Sequence, residues 1–175
     1  GDHETSEQRL IDLAHPEALP RLVAARKEGV QYSIADRGDE LFILTNADDA
    51  IDFKVMTAPL AAPGRANWRD LIPYREGVYV LDVELYAGHM VRLERAHALP
   101  AIIIRDLATS EEHAIAFDEA AYSLDTMGGY EFDTTNLRFS YSSMTTPSEV
   151  YDYDMATRTR TLRKRQEIPS GHNPA

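Results

Sequence analysis

One five-residue pattern recurs along the chain at nearly constant spacing, and it limits the possible folds more than any other feature. The pattern reads Ile-Asp-Leu-Ala-His at 11–15, Arg-Asp-Leu-Ala-Thr at 105–109 and Tyr-Asp-Met-Ala-Thr at 153–157. Its aspartates are Asp12, Asp106 and Asp154, so the two intervals are 94 and 48 residues, about two periods and one. A period of about 40–50 residues, each unit with four short strands, is typical of β-propeller blades. The spacing therefore predicts a repetitive β-structure.

The segment 136–166 indicates what one unit contains. Apolar and polar side chains alternate in Leu137–Ser142 and again in Tyr151–Met155, which is the pattern of half-buried strands. A Thr-Thr-Pro-Ser break separates these two stretches, and a turn after Met155 leads into a third strand at Arg160–Arg165. These strands are predicted to form an antiparallel meander.

Similar strand and turn signals divide the rest of the chain. We predict an all-β partial β-propeller of about three and a half four-stranded antiparallel blades, with no helix of substantial length. The half blade is predicted at 6–27, and the blades at about 30–72, 77–117 and 122–166. In the second blade, Val78–Leu85 is so apolar that both of its faces are predicted to be covered.

Composition and charge exclude several classes of protein. The net charge of −11 opposes binding to a phosphate backbone, so no nucleic-acid partner is expected. The chain contains no run of about 18 apolar residues, which a membrane-spanning helix requires, so no membrane partner is expected. The first residues lack the features of a signal peptide, and the missing initiator Met favours a piece of a longer protein. The absence of Cys excludes disulfides and is compatible with a reducing compartment.

Sequence motifs for catalysis and for cofactor binding are missing. The chain has no Gly-x-Ser-x-Gly nucleophile elbow and no glycine-rich phosphate loop, and its six His residues lie too far apart for a sequence-local metal pair. We therefore predict no catalytic, cofactor-binding or metal-binding residue, and no cofactor. Asp152 and Asp154 could be calcium ligands, but the sequence offers no further oxygen ligands nearby. Carboxylates in contact with solvent are therefore favoured. Arg37-Gly38-Asp39 resembles an adhesion tripeptide, but its setting favours a hairpin turn.

A basic run stands out in the acidic chain; it comprises Arg158, Arg160, Arg163, Lys164 and Arg165. One interpretation is a solvated outer strand whose charges discourage edge pairing. The other is a docking edge for an acidic partner domain. His89, His97 and His113 are expected to be surface or loop residues.

Three segments carry a resemblance to a known family. The most specific runs from Leu137 to Asp154, and a basic strand and Gln166-Glu167-Ile168-Pro169 follow it. Tyr32–Asn46 and Trp68–Pro73 add support. Together they resemble the N-terminal β-propeller domain of the prolyl oligopeptidase family of serine peptidases, and within it most of all the oligopeptidase B (protease II) branch. The resemblance covers nearly the whole chain in the family's order.

The resemblance implies a function that the residues alone do not show. Such proteins are cytosolic serine peptidases that cut short peptides. Members of the oligopeptidase B branch cut them after Lys or Arg. Their Ser, Asp and His lie in a C-terminal α/β-hydrolase domain, and the propeller covers that site and limits substrates by size. That domain is expected to follow Ala175 and is absent here, as is the front half of the propeller. The resemblance thus implies a cytoplasmic, non-catalytic fragment whose partners are the hydrolase domain of the same parent chain and peptide substrates.

Two other classes of function stay open from the sequence. One is a free-standing propeller-like protein-interaction module, and the other is a small all-β enzyme. We also expect the fragment to self-associate, because an open arc of blades leaves apolar faces bare. The bare face at the last blade is expected to carry Leu137, Phe139, Tyr141, Tyr151 and Tyr153.

Overall fold

The structure is a computed structural model, and it describes residues 8–10, 21–24, 32–119, 123–128 and 131–165. In these ranges the regular elements are β-strands, apart from one short 3-10 helix at Arg65–Asn67. None of the described helices is long and apolar enough to cross a bilayer. The chain divides into two compact units, residues 1–80 and 81–175.

The first unit contains a two-stranded antiparallel sheet and a four-stranded one. The two-stranded sheet pairs β1 (Gln8–Leu10) with β2 (Arg21–Ala24). The four-stranded sheet, called sheet I, is a meander of β3 (Tyr32–Arg37), β4 (Glu40–Thr45), β5 (Lys54–Pro59) and β6 (Arg69–Ile72). Parts of the half blade predicted at 6–27 and the segment Gln166–Pro169 lie outside the described residues.

Sheet I begins with a tight hairpin and packs one apolar cluster. Gly38 has a φ of 62° in the two-residue turn between β3 and β4, so Arg37-Gly38-Asp39 is a hairpin turn, as favoured from the sequence. Trp68 packs edge-on against Tyr32 with ring centroids 5.4 Å apart, and its indole N–H donates to the Pro63 carbonyl over 2.9 Å. The cluster consists of Tyr32, Leu41, Ile43, Ala47, Met56, Ala58 and Trp68.

A buried carboxylate fixes the connection that leaves sheet I. Asp52 accepts hydrogen bonds from the Gly77 amide at 2.7 Å and from the Tyr74 hydroxyl at 3.2 Å. Its backbone carbonyl accepts a third from the amide of Val80 at 3.1 Å. The Gly77 amide, helped by the hydroxyls of Tyr79 and Tyr74, holds the pKa of the Asp52 carboxyl below its usual range.

The second unit contains two further four-stranded antiparallel meanders. Sheet II consists of β7 (Val78–Leu85, which begins at the end of the first unit), β8 (His89–Ala96), β9 (Leu99–Asp106) and β10 (Glu112–Ala114). Sheet III consists of β11 (Ser123–Met127), β12 (Asn136–Ser142), β13 (Glu149–Asp154) and β14 (Thr159–Arg165). The predicted all-β chain with three four-stranded antiparallel sheets is confirmed.

Sheets II and III share one hydrophobic core. It contains Val91, Ile102 and Ile104 from sheet II, and Leu137 and Phe139 from sheet III. The further members are Tyr86, Ile115, Leu124, Tyr141, Tyr153 and Met155, and Leu93, Phe117 and Tyr151 pack against them. Face-to-face packing of two sheets is how a meander covers its apolar side.

The expected bare aromatic face is therefore wrong. Leu137 and Phe139 are 0% exposed, Tyr141 and Tyr153 are buried, and Tyr151 is partly buried. The reason is strand alternation: side chains two residues apart share a face, and in sheet III this face packs into the core shared with sheet II. The opposite face of β12 carries the polar side chains of Arg138, Ser140 and Ser142.

Two smaller expectations also fail. Strand β7 is not covered on both faces, since Tyr79 and Leu81 are 47% and 39% exposed. It is the terminal strand of sheet II, and the polar Asp82 and Glu84 interrupt its apolar pattern. His89 is buried rather than at the surface, because it lies two residues before the core residue Val91 on β8. His97 is exposed in the β8–β9 turn, as expected.

Candidate functional site

The first strands of sheets II and III, β7 and β11, form an acidic surface. Glu84 of β7 accepts a hydrogen bond from the Thr126 hydroxyl of β11 over 3.0 Å, and another from the Tyr86 hydroxyl over 3.2 Å. Asp82 and Asp125 lie close enough to Glu84 to act on its charge. The two strands thus bring three carboxylates together.

The electrostatics of this acidic surface favour a cation. Burial raises the pKa of Glu84; the hydrogen bonds from Thr126 and Tyr86 oppose this shift, and the nearby carboxylates add to it. Partial desolvation also raises the pKa of Asp82, and the charge of Asp125 contributes. Carboxylates that lie close together and are partly desolvated repel one another. A positive group beside them offsets this repulsion and stabilises their charged form.

A cavity of about 620 Å³ adjoins this surface. Its lining comes from β7, β8, β9, β11 and the β8–β9 turn, and consists of Leu81, Leu93, Arg95, Ala98, Pro100, Ser123, Leu124 and Asp125. Arg95 supplies a positive charge and Asp125 a negative one. Both residues are exposed to solvent, and neither side chain forms a hydrogen bond or an ion pair with another described residue. We call this space the Arg95–Asp125 cavity.

A second cavity, of about 430 Å³, lies by the other end of β11. Its lining includes Tyr86, Met127 and Arg138. The Arg138 guanidinium already donates to the Asp152 carboxylate over 2.9 Å, so its charge is compensated within the chain. The Arg95–Asp125 cavity is therefore the stronger candidate for a binding site.

At the outer strands, polar contacts connect sheets II and III. His113 of β10 and Tyr153 of β13 share a hydrogen bond of 2.7 Å between Nε2 and the phenol oxygen. The Arg160 guanidinium lies over the ring of Phe117 at 4.8 Å and that of Tyr151 at 5.7 Å, and it donates to the Ala116 carbonyl. These contacts hold the two sheets in one relative position.

The aspartates considered for calcium have structural partners. Asp152 pairs with Arg138 and, at 3.4 Å, with Arg163. Asp154 accepts from the amides of Ala156 and Thr157 at 2.9 and 3.0 Å, which closes the turn after β13. Within the described part of the chain, no three His, Asp or Glu side chains, those of the acidic surface included, are placed so that they could hold a metal ion.

Most charges of the basic run are also engaged within the chain. Arg165 pairs with Glu149 at 2.8 Å, Arg163 with Asp152, and Arg160 stacks as described above. All seven residues of β14 are exposed, and β14 is the terminal strand of sheet III. This supports the interpretation as a solvated outer strand, while docking of an acidic partner stays a prediction.

Sequence reasoning missed the carboxylates of the acidic surface and Arg95. A signal for two of them exists: Asp82 and Asp125 lie 43 residues apart, close to the repeat period, and occupy the first strands of successive sheets. Arg95 offers no such signal, because its place in the same cavity as Asp125 depends on how sheet II packs against sheet III.

Comparison with known proteins agrees with the repetitive all-β architecture. The family described as Prolyl oligopeptidase, N-terminal beta-propeller domain, matches residues 1–166. Dipeptidyl aminopeptidase BI of Pseudoxanthomonas mexicana is 37% identical over 165 residues, which is 94% of this chain. The fold thus defines a set of β-propeller blades, and the chain belongs to the prolyl oligopeptidase family through its N-terminal β-propeller domain.

Solved structures extend the comparison to three dimensions. Oligopeptidase B from Trypanosoma brucei, in a closed form with covalently bound antipain, matches 97% of the chain with a TM-score of 0.90 and 30% identity. Oligopeptidase B from Leishmania major matches 97% with a TM-score of 0.83 and 25% identity. The chain spans 22% of the length of the Pseudoxanthomonas relative and 25% of each of these two structures.

Proposed function

We propose that this chain is the non-catalytic propeller part of an oligopeptidase B-like serine peptidase. In the complete protein, a C-terminal α/β-hydrolase domain of the same chain would carry the catalytic residues. The propeller would cover that site and restrict substrates to short peptides cleaved after Lys or Arg. The observation that carries the proposal is the match to oligopeptidase B over 97% of the chain at a TM-score of 0.90. We also propose a cytoplasmic location, which the absence of Cys supports.

Two features support a covering role. The polar contacts and the shared core between sheets II and III give a rigid wall, as a size filter requires. The acidic surface of β7 and β11 would attract peptides that carry Lys or Arg and repel acidic ones. The motifs of serine catalysis are missing from the sequence, so the chemistry is assigned to the hydrolase domain.

The test uses the complete protein beside the isolated chain. Chromogenic peptides that differ in one residue before the scissile bond, Arg, Lys, Leu or Glu, are supplied to both. The complete protein should cleave the Arg and Lys peptides, a serine-directed inhibitor should block it, and the isolated chain should be inactive. Equal cleavage of all four peptides would refute the specificity, and inhibitor-sensitive activity of the isolated chain would refute the non-catalytic role.

We also propose that the isolated chain self-associates, through an edge strand and not through an aromatic face. The aromatic face is buried, so the exposed edge of β14 is the remaining candidate in sheet III. β14 carries more basic side chains than its acidic partners Asp152 and Glu149 neutralise, so it would be attracted to the acidic surface of a second copy. An edge strand also offers unpaired backbone groups. Sedimentation equilibrium at micromolar concentration should give a mass above 19.7 kDa that falls as salt rises. A concentration-independent monomer would refute it.

A further inference from the structure

The Arg95–Asp125 cavity presents two opposite charges to the same space. Both side chains line it, and neither has a hydrogen-bond or ion-pair partner among the described residues. Both residues are exposed to solvent, so a ligand in the cavity can reach both charges. A guanidinium is suited to a carboxylate, because its fork donates two parallel hydrogen bonds. The cavity therefore favours a ligand that carries both a carboxylate and a cation.

A positive group of the ligand would be attracted by more than one carboxylate. Of the three carboxylates, Asp125 lines the cavity, and Asp82 and Glu84 lie outside its lining but within electrostatic reach of Asp125. An anionic ligand without a positive group would be repelled there. A ligand with its carboxylate at Arg95 and a longer cationic arm toward Asp125 satisfies both sides.

The remaining walls suit an aliphatic stem. Leu81, Leu93, Pro100 and Leu124 line the space near the two charges. The methylene chain of Lys or Arg packs on such surfaces while its charged end reaches a polar group. The volume of about 620 Å³ lies in the range of about 300–1,000 Å³ that is usual for small-ligand sites.

We propose that the Arg95–Asp125 cavity binds short peptides whose last residue is Lys or Arg. The terminal carboxylate lies against Arg95, and the basic side chain extends toward Asp125. The proposal rests on the proposed function, because cleavage after Lys or Arg produces peptides of this kind. The cavity is then a product-binding site on the propeller, and it retains the acyl-side product and slows the next turnover.

Binding is tested on the chain itself with three tripeptides. All three carry an N-terminal acetyl group, so that a side chain is the sole source of positive charge. Gly-Gly-Arg carries both charges, Gly-Gly-Arg amide lacks the carboxylate, and Gly-Gly-Leu lacks the basic side chain. Amide chemical shifts of the isotopically labelled chain are followed during each titration. Gly-Gly-Arg should saturate with a dissociation constant of about 1 mM or below, and each of the other two should bind at least about tenfold more weakly. The shifts should centre on Leu93–Ala98 and Ser123–Asp125.

Two variants assign the charges, and a third is a matched control. Arg95→Gln should abolish the preference for the acid over the amide, and Asp125→Asn should reduce the preference for Arg over Leu. Lys164→Gln removes an exposed charge on β14, away from the cavity lining, and should change neither preference. If a variant fails to fold, the three peptides on the unaltered chain still decide the proposal.

Equal affinity for the three peptides, shifts outside the cavity, or no saturation would each overturn the inference. Its failure is distinct from failure of the proposed function. A complete protein that cleaves after Lys or Arg, beside a chain that does not bind Gly-Gly-Arg, refutes the product site alone. A complete protein without that specificity, beside a chain that binds Gly-Gly-Arg selectively, refutes the proposed function and leaves the binding site in place.

Discussion

The two faces of sheet III are stabilised by different interactions. On the face shared with sheet II, Leu137 and Phe139 are fully buried, and Phe139 stacks on Tyr151 with centroids 5.5 Å apart. On the opposite face, Arg138 and Asp152 form an ion pair at 2.9 Å in contact with solvent. Apolar burial is a large and non-directional term, whereas an exposed ion pair is screened and contributes little. The buried face therefore carries most of the stability of the unit, and the solvent-facing side contributes little to it.

Phe139→Ala should be the most destabilising change. The side chain is 0% exposed and also contacts Phe117 edge-on at 5.9 Å, so truncation leaves a cavity between the two sheets. We expect the free energy of unfolding to fall by about 3–5 kcal/mol. Urea denaturation followed by circular dichroism measures it. A loss below about 1 kcal/mol would mean that this face is not the core of the unit.

Tyr153→Phe should have a moderate effect. The variant keeps the ring in the core and removes the hydroxyl that bonds His113 over 2.7 Å between the sheets. We expect a loss of about 0.5–1.5 kcal/mol, because the His113 nitrogen loses its partner in a partly buried place. The same denaturation measurement applies. An unchanged or raised stability would show that the hydrogen bond does not connect the sheets in solution.

His113 should make the stability of the unit depend on pH. Burial lowers its pKa, and the charges of Arg158 and His89 contribute. The unfolded chain therefore takes up the proton first, so stability is full above the unfolded pKa of about 6.5 and is lost as pH falls through the lower folded pKa. His113→Gln should flatten the stability profile in that window, and His97→Asn, in the exposed turn, should leave it unchanged. A stability profile that His97→Asn flattens and His113→Gln leaves unchanged would contradict the assignment of the pH dependence to His113.

Arg138→Ala should have the smallest effect. Its pair with Asp152 lies on the solvent-facing side, and Asp152 keeps Arg163 as a second partner. The melting temperature should shift little at low salt, and the shift should vanish as salt rises. A loss comparable with that of Phe139→Ala would remove the distinction between the two faces.

The strands of sheet III follow from the sequence, but the role of each face does not. Alternation over Leu137–Ser142 separates an apolar from a polar side, which predicts a strand with two unlike faces. It does not say which neighbouring sheet covers the apolar side, and the aromatic residues were wrongly expected at a bare face. Packing against Val91 and Ile104 involves residues more than 30 positions away, which no local pattern encodes.

The candidate site was less predictable than the fold. The repeat period relates Asp82 to Asp125, so part of the acidic surface was accessible from the sequence. The position of Arg95 in the same cavity depends on the contact of sheet II with sheet III. His89 lies at the start of a buried strand, and its burial was missed for the same reason.

The central claim is that these blades limit the substrates of a peptidase, and the length dependence of cleavage tests it most directly. The complete protein is given a short peptide with one Arg, and the same sequence inserted in an exposed, unstructured loop of a folded protein. The account predicts that kcat/KM is at least about a hundredfold higher for the short peptide, since the folded carrier cannot pass the propeller. Similar values for the two substrates would contradict the account, because an open active site makes no such distinction.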